Sequence, residues 1–193
     1  MTEQPRYTLV AIALHWLLAI LLVSMVFFGW YMEDLREALL AGDSGATLQE
    51  VQFAYNAHKT TGLLVLALSL ARLGWRFTHK TPPLPEHMPA WEKLAANGTH
   101  WAFYAIMIGM PLGGLVAASA TPFPSLLFNN PDLVIPKLPV PQTEAFAELA
   151  GSAHGAGGWA ILGLLGLHVA AALKHQFIDK DGLLARMLPF LKG

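Results

Sequence analysis

Apolar residues along this chain fall into four blocks separated by acidic or proline-rich connections. Tyr7 to Met32, Leu94 to Ser119 and Leu149 to Leu173 contain no Asp, Glu, Lys or Arg, and Val51 to Ala71 contains only Lys59. About 20 apolar residues cross the hydrocarbon core of a bilayer. The pattern therefore predicts an all-α membrane protein, a bundle of four transmembrane helices over approximately residues 8–32, 53–77, 93–119 and 145–177, forming one domain over 1–193. The second helix has the weakest pattern because its uncharged core, Thr60 to Ala71, is short; Arg72 and Arg76 at its end can snorkel to the membrane surface. The first block is longer than a signal-peptide core and no small-residue cleavage site follows it, so it is read as retained. Pro111, inside GMPLGG, predicts a kink in the third helix.

Composition strengthens this reading. The chain is 54% hydrophobic and 13% charged, against about 25% charge in an ordinary soluble domain. A net charge of −1 gives no reason to expect a nucleic-acid partner. Cysteine is absent, which excludes disulfides, thiolate metal sites, iron–sulfur clusters and covalently attached haem.

Charge sets an orientation. Arg6, Arg72, Arg76, Lys80, Lys93, Lys174, Lys180, Arg186 and Lys192 belong to one side; only Arg36, Lys59 and Lys137 belong to the other. The positive-inside rule then places both termini in the cytoplasm. The opposite, outer side is acidic, with Glu33, Asp34, Glu37, Asp43 and Glu50 in its first connection. Its second connection, Ala120 to Gln142, holds six prolines and reads as an ordered or semi-ordered cap.

Six histidines fall within or at the ends of the predicted spans: His15, His58, His100, His154, His168 and His175. His79 and His87 belong to the inner loop. Ionisable residues at membrane depth point to function. His15 and His168 lie at similar depths from the cytoplasm, and His58 and His154 both lie near the outer surface. Between His154 and His168 the helix rises about 21 Å and turns back to nearly the same face, drifting about 40°. One helix thus offers an inward imidazole at each level, with a partner from another helix. Facing pairs of neutral imidazoles are the ligand set of bis-histidine haem b. Small residues four positions away leave room for a flat group: Ala11 and Ala19 around His15, Ala54 and Gly62 around His58, Ala150 and Gly158 around His154, Ala172 beside His168. A solitary helix histidine is more often a hydrogen-bonded packing residue, and a zinc or copper site using His15, His100, His168 and His175 is a rival at the inner level.

The segments RYTLVAIALHWLLAILL, HKTTGLLVLALSLARLGWR, THWAFYAIMIGMPLGG and HVAAALKHQFIDKDGLLARMLP resemble the bacterial cytochrome b561 family, from Arg6 to Pro189. The resemblance implies four helices in the bacterial inner membrane, two b haems with His15, His58, His154 and His168 as axial ligands, and transfer of single electrons across the bilayer. Depth supplies the pairing His15–His168 and His58–His154. Some members resemble superoxide oxidases that reduce ubiquinone. Others are similar to partners of periplasmic lipocalin-like proteins or to quinone-side subunits of hydrogenases, so an oxidoreductase activity is an expectation. On this reading His100 and His175 line a quinone site, Arg72, Arg76 and Lys174 meet propionates at the inner haem, and Lys59 does so at the outer one. The outer side's eight acids against three bases make superoxide a less obvious donor, although Lys59 and Lys137 could form a local funnel; a quinol-linked carrier serving a protein partner, or a cytochrome subunit of a larger oxidoreductase, is the alternative. A haem-free structural or partner-binding membrane protein is the third alternative.

Overall fold

Threonines start three of the four long helices. Thr8 caps α1 (Leu9–Leu40) by accepting the Ala11 N–H, and Thr143 caps α4 (Glu144–Lys174) by accepting that of Phe146. Thr47 opens α2 (Leu48–Thr78) with a full capping box: its hydroxyl accepts the Glu50 N–H, and the Glu50 carboxylate accepts the Thr47 N–H. The third helix, α3 (Ala90–Ala120), begins after Pro89, whose fixed φ suits a helix start. These elements come from a computed structural model that describes residues 6–42 and 45–188. Asp43 and Lys192, used above in the charge reading, lie outside the described residues.

Except at the start of α1, the helices outrun the apolar blocks at both ends. The predicted end of α1 at residue 32 becomes Leu40 because its polar extension has partners: Arg36 donates to Glu33 at 2.9 Å, and the Tyr55 hydroxyl of α2 donates to the same carboxylate at 2.7 Å. The start of α2 moves from 53 to 48 because the capping box satisfies its first N–H groups. α3 runs unbroken through Pro111, which lacks the N–H that would bond the Met107 carbonyl.

Neighbouring helices pack in chain order, α1 on α2, α2 on α3 and α3 on α4, whereas α1 and α4 touch only sparsely. The tightest core lies among the first three: Leu18, Val65, Tyr104 and Met107, backed by Leu21, Leu22, Met25, Leu68 and Phe103. Large apolar side chains such as Leu9, Ile20, Phe27, Trp159 and Leu167 remain exposed outside this core, as lipid-facing surfaces do. The start of α1 and the segment after α4 meet at one end of the bundle. Trp16 donates to the Met187 carbonyl at 2.9 Å, Trp75 donates to Thr8 at 2.9 Å, and Arg186 donates to the Pro83 carbonyl at 2.6 Å.

Among the described residues, three helices are long and apolar enough to cross a membrane: α1, α3 and α4 with its continuation to Asp179. α2 is not among them, because Asn56, His58, Lys59, Thr60 and Thr61 dilute its outer half. Those polar groups are used inside the protein. The outer loop folds back in an antiparallel bridge between Leu126 and Val134, turned by Phe128 and Asn129 at positive φ, and lies along α2. The Leu126 N–H donates to Asn56 Oδ1 at 3.0 Å, the Phe128 N–H to Thr60 Oγ1 at 3.0 Å, and Asn129 Nδ2 to the Phe53 carbonyl at 3.3 Å.

Candidate functional site

The 14-residue spacing on α4 works as its periodicity predicts. At the outer level the His154 ring faces His58 of α2, with centroids 6.1 Å apart and planes at 83°. At the inner level His168 faces His15 of α1, centroids 6.2 Å apart and planes at 59°. The inner level also holds His100 of α3, whose ring centroid lies 5.8 Å from that of His168. Three imidazoles therefore converge there, against two outside. Phe28 stacks beside His58 at 6.2 Å, and Phe103 meets His168 edge-on at 5.4 Å.

Two glycines that the sequence pattern did not single out shape the outer pair. A Cβ on Gly114 of α3 would lie 2.9 Å from His154 Cε1, and one on Gly29 of α1 would lie 3.4 Å from His58 Cε1. The small flanks Gly62 and Gly158 instead face Met25 and Val26 of α1 at ordinary contact distance. Among the described residues, Nδ1 of His15 and of His58 is buried without a hydrogen-bond partner. Such groups are costly in an apolar bundle.

The basic residues divide by level. Arg72 lies over the Tyr104 ring at 5.8 Å, and Arg76 lies over Trp101 at 5.4 Å and Tyr104 at 5.7 Å. Neither guanidinium has a carboxylate partner among the described residues. They line an inner cleft with Tyr7, Thr8, His79 and Lys80. Outside, Lys59 is partly buried next to His58, with Lys137 as its charged neighbour. Lys174 and His175 are engaged elsewhere. Lys174 bonds Glu92 at 2.8 Å and Asp179 at 2.7 Å, and His175 Nδ1 lies 2.7 Å from Asp181. The structure does not bring either one into ring contact with His168.

The profile described as prokaryotic cytochrome b561 matches residues 6–190, nearly the whole chain. The chain belongs to the prokaryotic cytochrome b561 family. It is similar to cytochrome b561 homolog 2 of Escherichia coli, at 31% identity over 97% of this chain and 94% of that one. It is 30% identical to cytochrome b562 of Cereibacter sphaeroides over 97% and 98% of the two chains. It is 26% identical to a probable superoxide oxidase of Yersinia pestis over the same shares. As a b561-family cytochrome it is a multi-pass protein of the bacterial inner membrane that binds haem b and serves membrane electron transfer.

The buried imidazoles fit that cofactor. His58 with His154, and His168 with His15 or His100, are the buried nitrogen donors that would hold such a group, and its iron would supply one-electron chemistry there. The sparse contact between α1 and α4 agrees with a flat group lying between helices.

Proposed function

We propose that this cytochrome carries single electrons across the inner membrane through two b haems, with His58 and His154 holding one near the outer surface and His15 and His168 the other near the inner surface. The observation that carries this reading is the repeated imidazole spacing, 6.1 and 6.2 Å, at two levels of one bundle. Bound there, haem supplies one-electron chemistry at an iron closed to small ligands. Arg72 and Arg76, lacking carboxylate partners, are suited to the inner propionates, and Lys59 to the outer ones. Lys174 is less suited, since two carboxylates already hold it. His100 is the inner imidazole left over from the pairing; with His175 it belongs to a quinone site, where ubiquinone or a related quinone exchanges electrons and protons.

On this reading all four helices span the bilayer, the whole chain is one membrane domain, and both termini are cytoplasmic. The loop bonded to Asn56 and Thr60 supports the crossing of α2, because it pairs polar groups that lipid would leave unsatisfied. Superoxide is one candidate donor at the outer face, supported by Lys59 with Lys137 and by the likeness to a probable superoxide oxidase. A quinol-linked carrier for a periplasmic protein, or the cytochrome subunit of a larger oxidoreductase, is the second reading. It is favoured by the acids of the outer connections and by apolar side chains on the outer loop, Phe128 among them at 72% exposed.

Purified protein from haem-replete cells should be red, with two b haems per chain by pyridine haemochrome assay. A colourless or single-haem preparation overturns the two-haem reading. Superoxide generated beside the loaded protein should reduce it, and added ubiquinone should reoxidise it. Failure of superoxide to reduce a fully loaded protein selects the quinol-linked reading.

A further inference from the structure

The segment HQFIDKDG, residues 175–182, ends α4 in an unusual way. The helix widens into a π-turn at His175–Asp179, a feature common at functional sites. Lys180 at φ 53 and Gly182 at φ 72 then reverse the chain, bringing the Asp181 N–H to the His175 carbonyl at 3.3 Å. The reversal places the Asp181 carboxylate beside the imidazole. Its Oδ2 lies 2.7 Å from His175 Nδ1, closer than Asp179 Oδ2 at 3.0 Å from the same nitrogen, while Oδ1 accepts the Leu183 N–H at 3.1 Å. The Asp181 side chain is 2% exposed and that of His175 14%. A carboxylate only accepts hydrogen bonds. Asp181 therefore keeps a proton on Nδ1 and leaves Nε2 as the nitrogen that exchanges protons.

Charged groups from three other places surround the pair. Glu92 comes from the first turn of α3, Lys174 and Asp179 from α4 and its π-turn, and His87 of the inner loop lies near Asp179. Ligand atoms of Glu92, His175 and Asp179 lie within 4.8 Å of one another. The cation between the two carboxylates is the Lys174 ammonium, so the cluster reads as a charge-balanced acid–base network. Two turns of α4, about 10 Å of rise, separate it from His168.

We infer that Asp181 is the positioning residue for His175 and that the pair passes protons between the inner aqueous surface and a quinone oxygen. This rests on the quinone reading above. Reducing a quinone to a quinol takes two electrons, from the outer donor, and two protons, from the inner water. His175, as imidazolium, gives its Nε2 proton to a quinone oxygen and returns to the neutral Nδ1–H form that Asp181 holds. It regains a proton at Nε2 from water at the inner surface.

The test uses full-length, haem-loaded protein in phospholipid nanodiscs, as wild type, Asp181→Asn, Asp181→Glu and His175→Gln. Stopped-flow mixing of reduced protein with decylubiquinone reads reoxidation, and ¹⁵N-histidine NMR of the reduced protein reads which ring nitrogen carries the proton. Wild type should show His175 with its proton on Nδ1. Asp181→Asn should show mixed tautomers and about tenfold slower reoxidation with an unchanged haem spectrum, and Asp181→Glu should recover to within about threefold. Wild-type rate and tautomer in Asp181→Asn overturn the inference alone. Wild-type protein that gives no electrons to decylubiquinone overturns the quinone reading and this one with it. Should Asp181→Asn not fold, an unchanged rate in His175→Gln is the overturning result.

Discussion

The two ends of the bundle hold histidines in different company. The outer level is spare: two imidazoles, an aromatic neighbour, two glycines against the rings and a loop hydrogen-bonded over α2. The inner level is crowded: a third imidazole, two arginines held over aromatic faces, and the acid–base cluster beyond them. One end is built to grip, whereas the other has groups to spare once gripping is done. That surplus is the reason to place substrate chemistry at the inner end, because coupled proton and electron transfer needs titratable groups that pure electron storage does not.

The comparison breaks most visibly at the ligands. His58→Ala should remove the outer haem and His15→Ala the inner one, each leaving about half the b-type absorbance per folded chain. Equal loss of both haems from either change would undo the two-level pairing. Next, Gly114→Val should push the His154 ring aside, since even a Cβ would sit 2.9 Å from it, and lower outer haem occupancy while sparing the inner. Haem spectra of the His15→Ala background isolate that effect. His100→Ala should keep both haems but slow quinone reduction about tenfold or more, read in steady-state turnover. Loss of a haem would mean that His100, not His15, is the partner of His168. Arg72→Gln should lower the inner haem's midpoint potential by on the order of 30 mV, because a nearby cation favours the reduced form; redox titration of the two bands reads it. The smallest effect is at Thr47. Losing that cap should cost about 1 kcal/mol and leave both spectra alone, which thermal unfolding followed by circular dichroism can check.

The four-helix pattern was legible because lipid imposes long uncharged runs, and the facing histidines because 14 residues return to one face of a helix. Helix ends were not, since they depend on partners such as the Tyr55 hydroxyl meeting Glu33 across two helices. The importance of Gly29 and Gly114 was hidden for a similar reason: a glycine's neighbour across a helix interface is not written in its own segment. Lys174 and His175 show the limit most plainly. Position suggested propionates and quinone; it did not show that a local reversal at Lys180 and Gly182 delivers Asp181, and α3 delivers Glu92, into the same few ångströms.

The loop bonded to α2 has a consequence for biogenesis. α2 leaves the ribosome well before the residues that occupy Asn56 and Thr60, so on the four-span reading it meets the translocon as a poor stop-transfer sequence. Its stable integration then waits for α3 and the segment after it. A chain cut at Thr81 should leave α2 accessible to protease or alkali extraction, while one ending at Gln142 should anchor it.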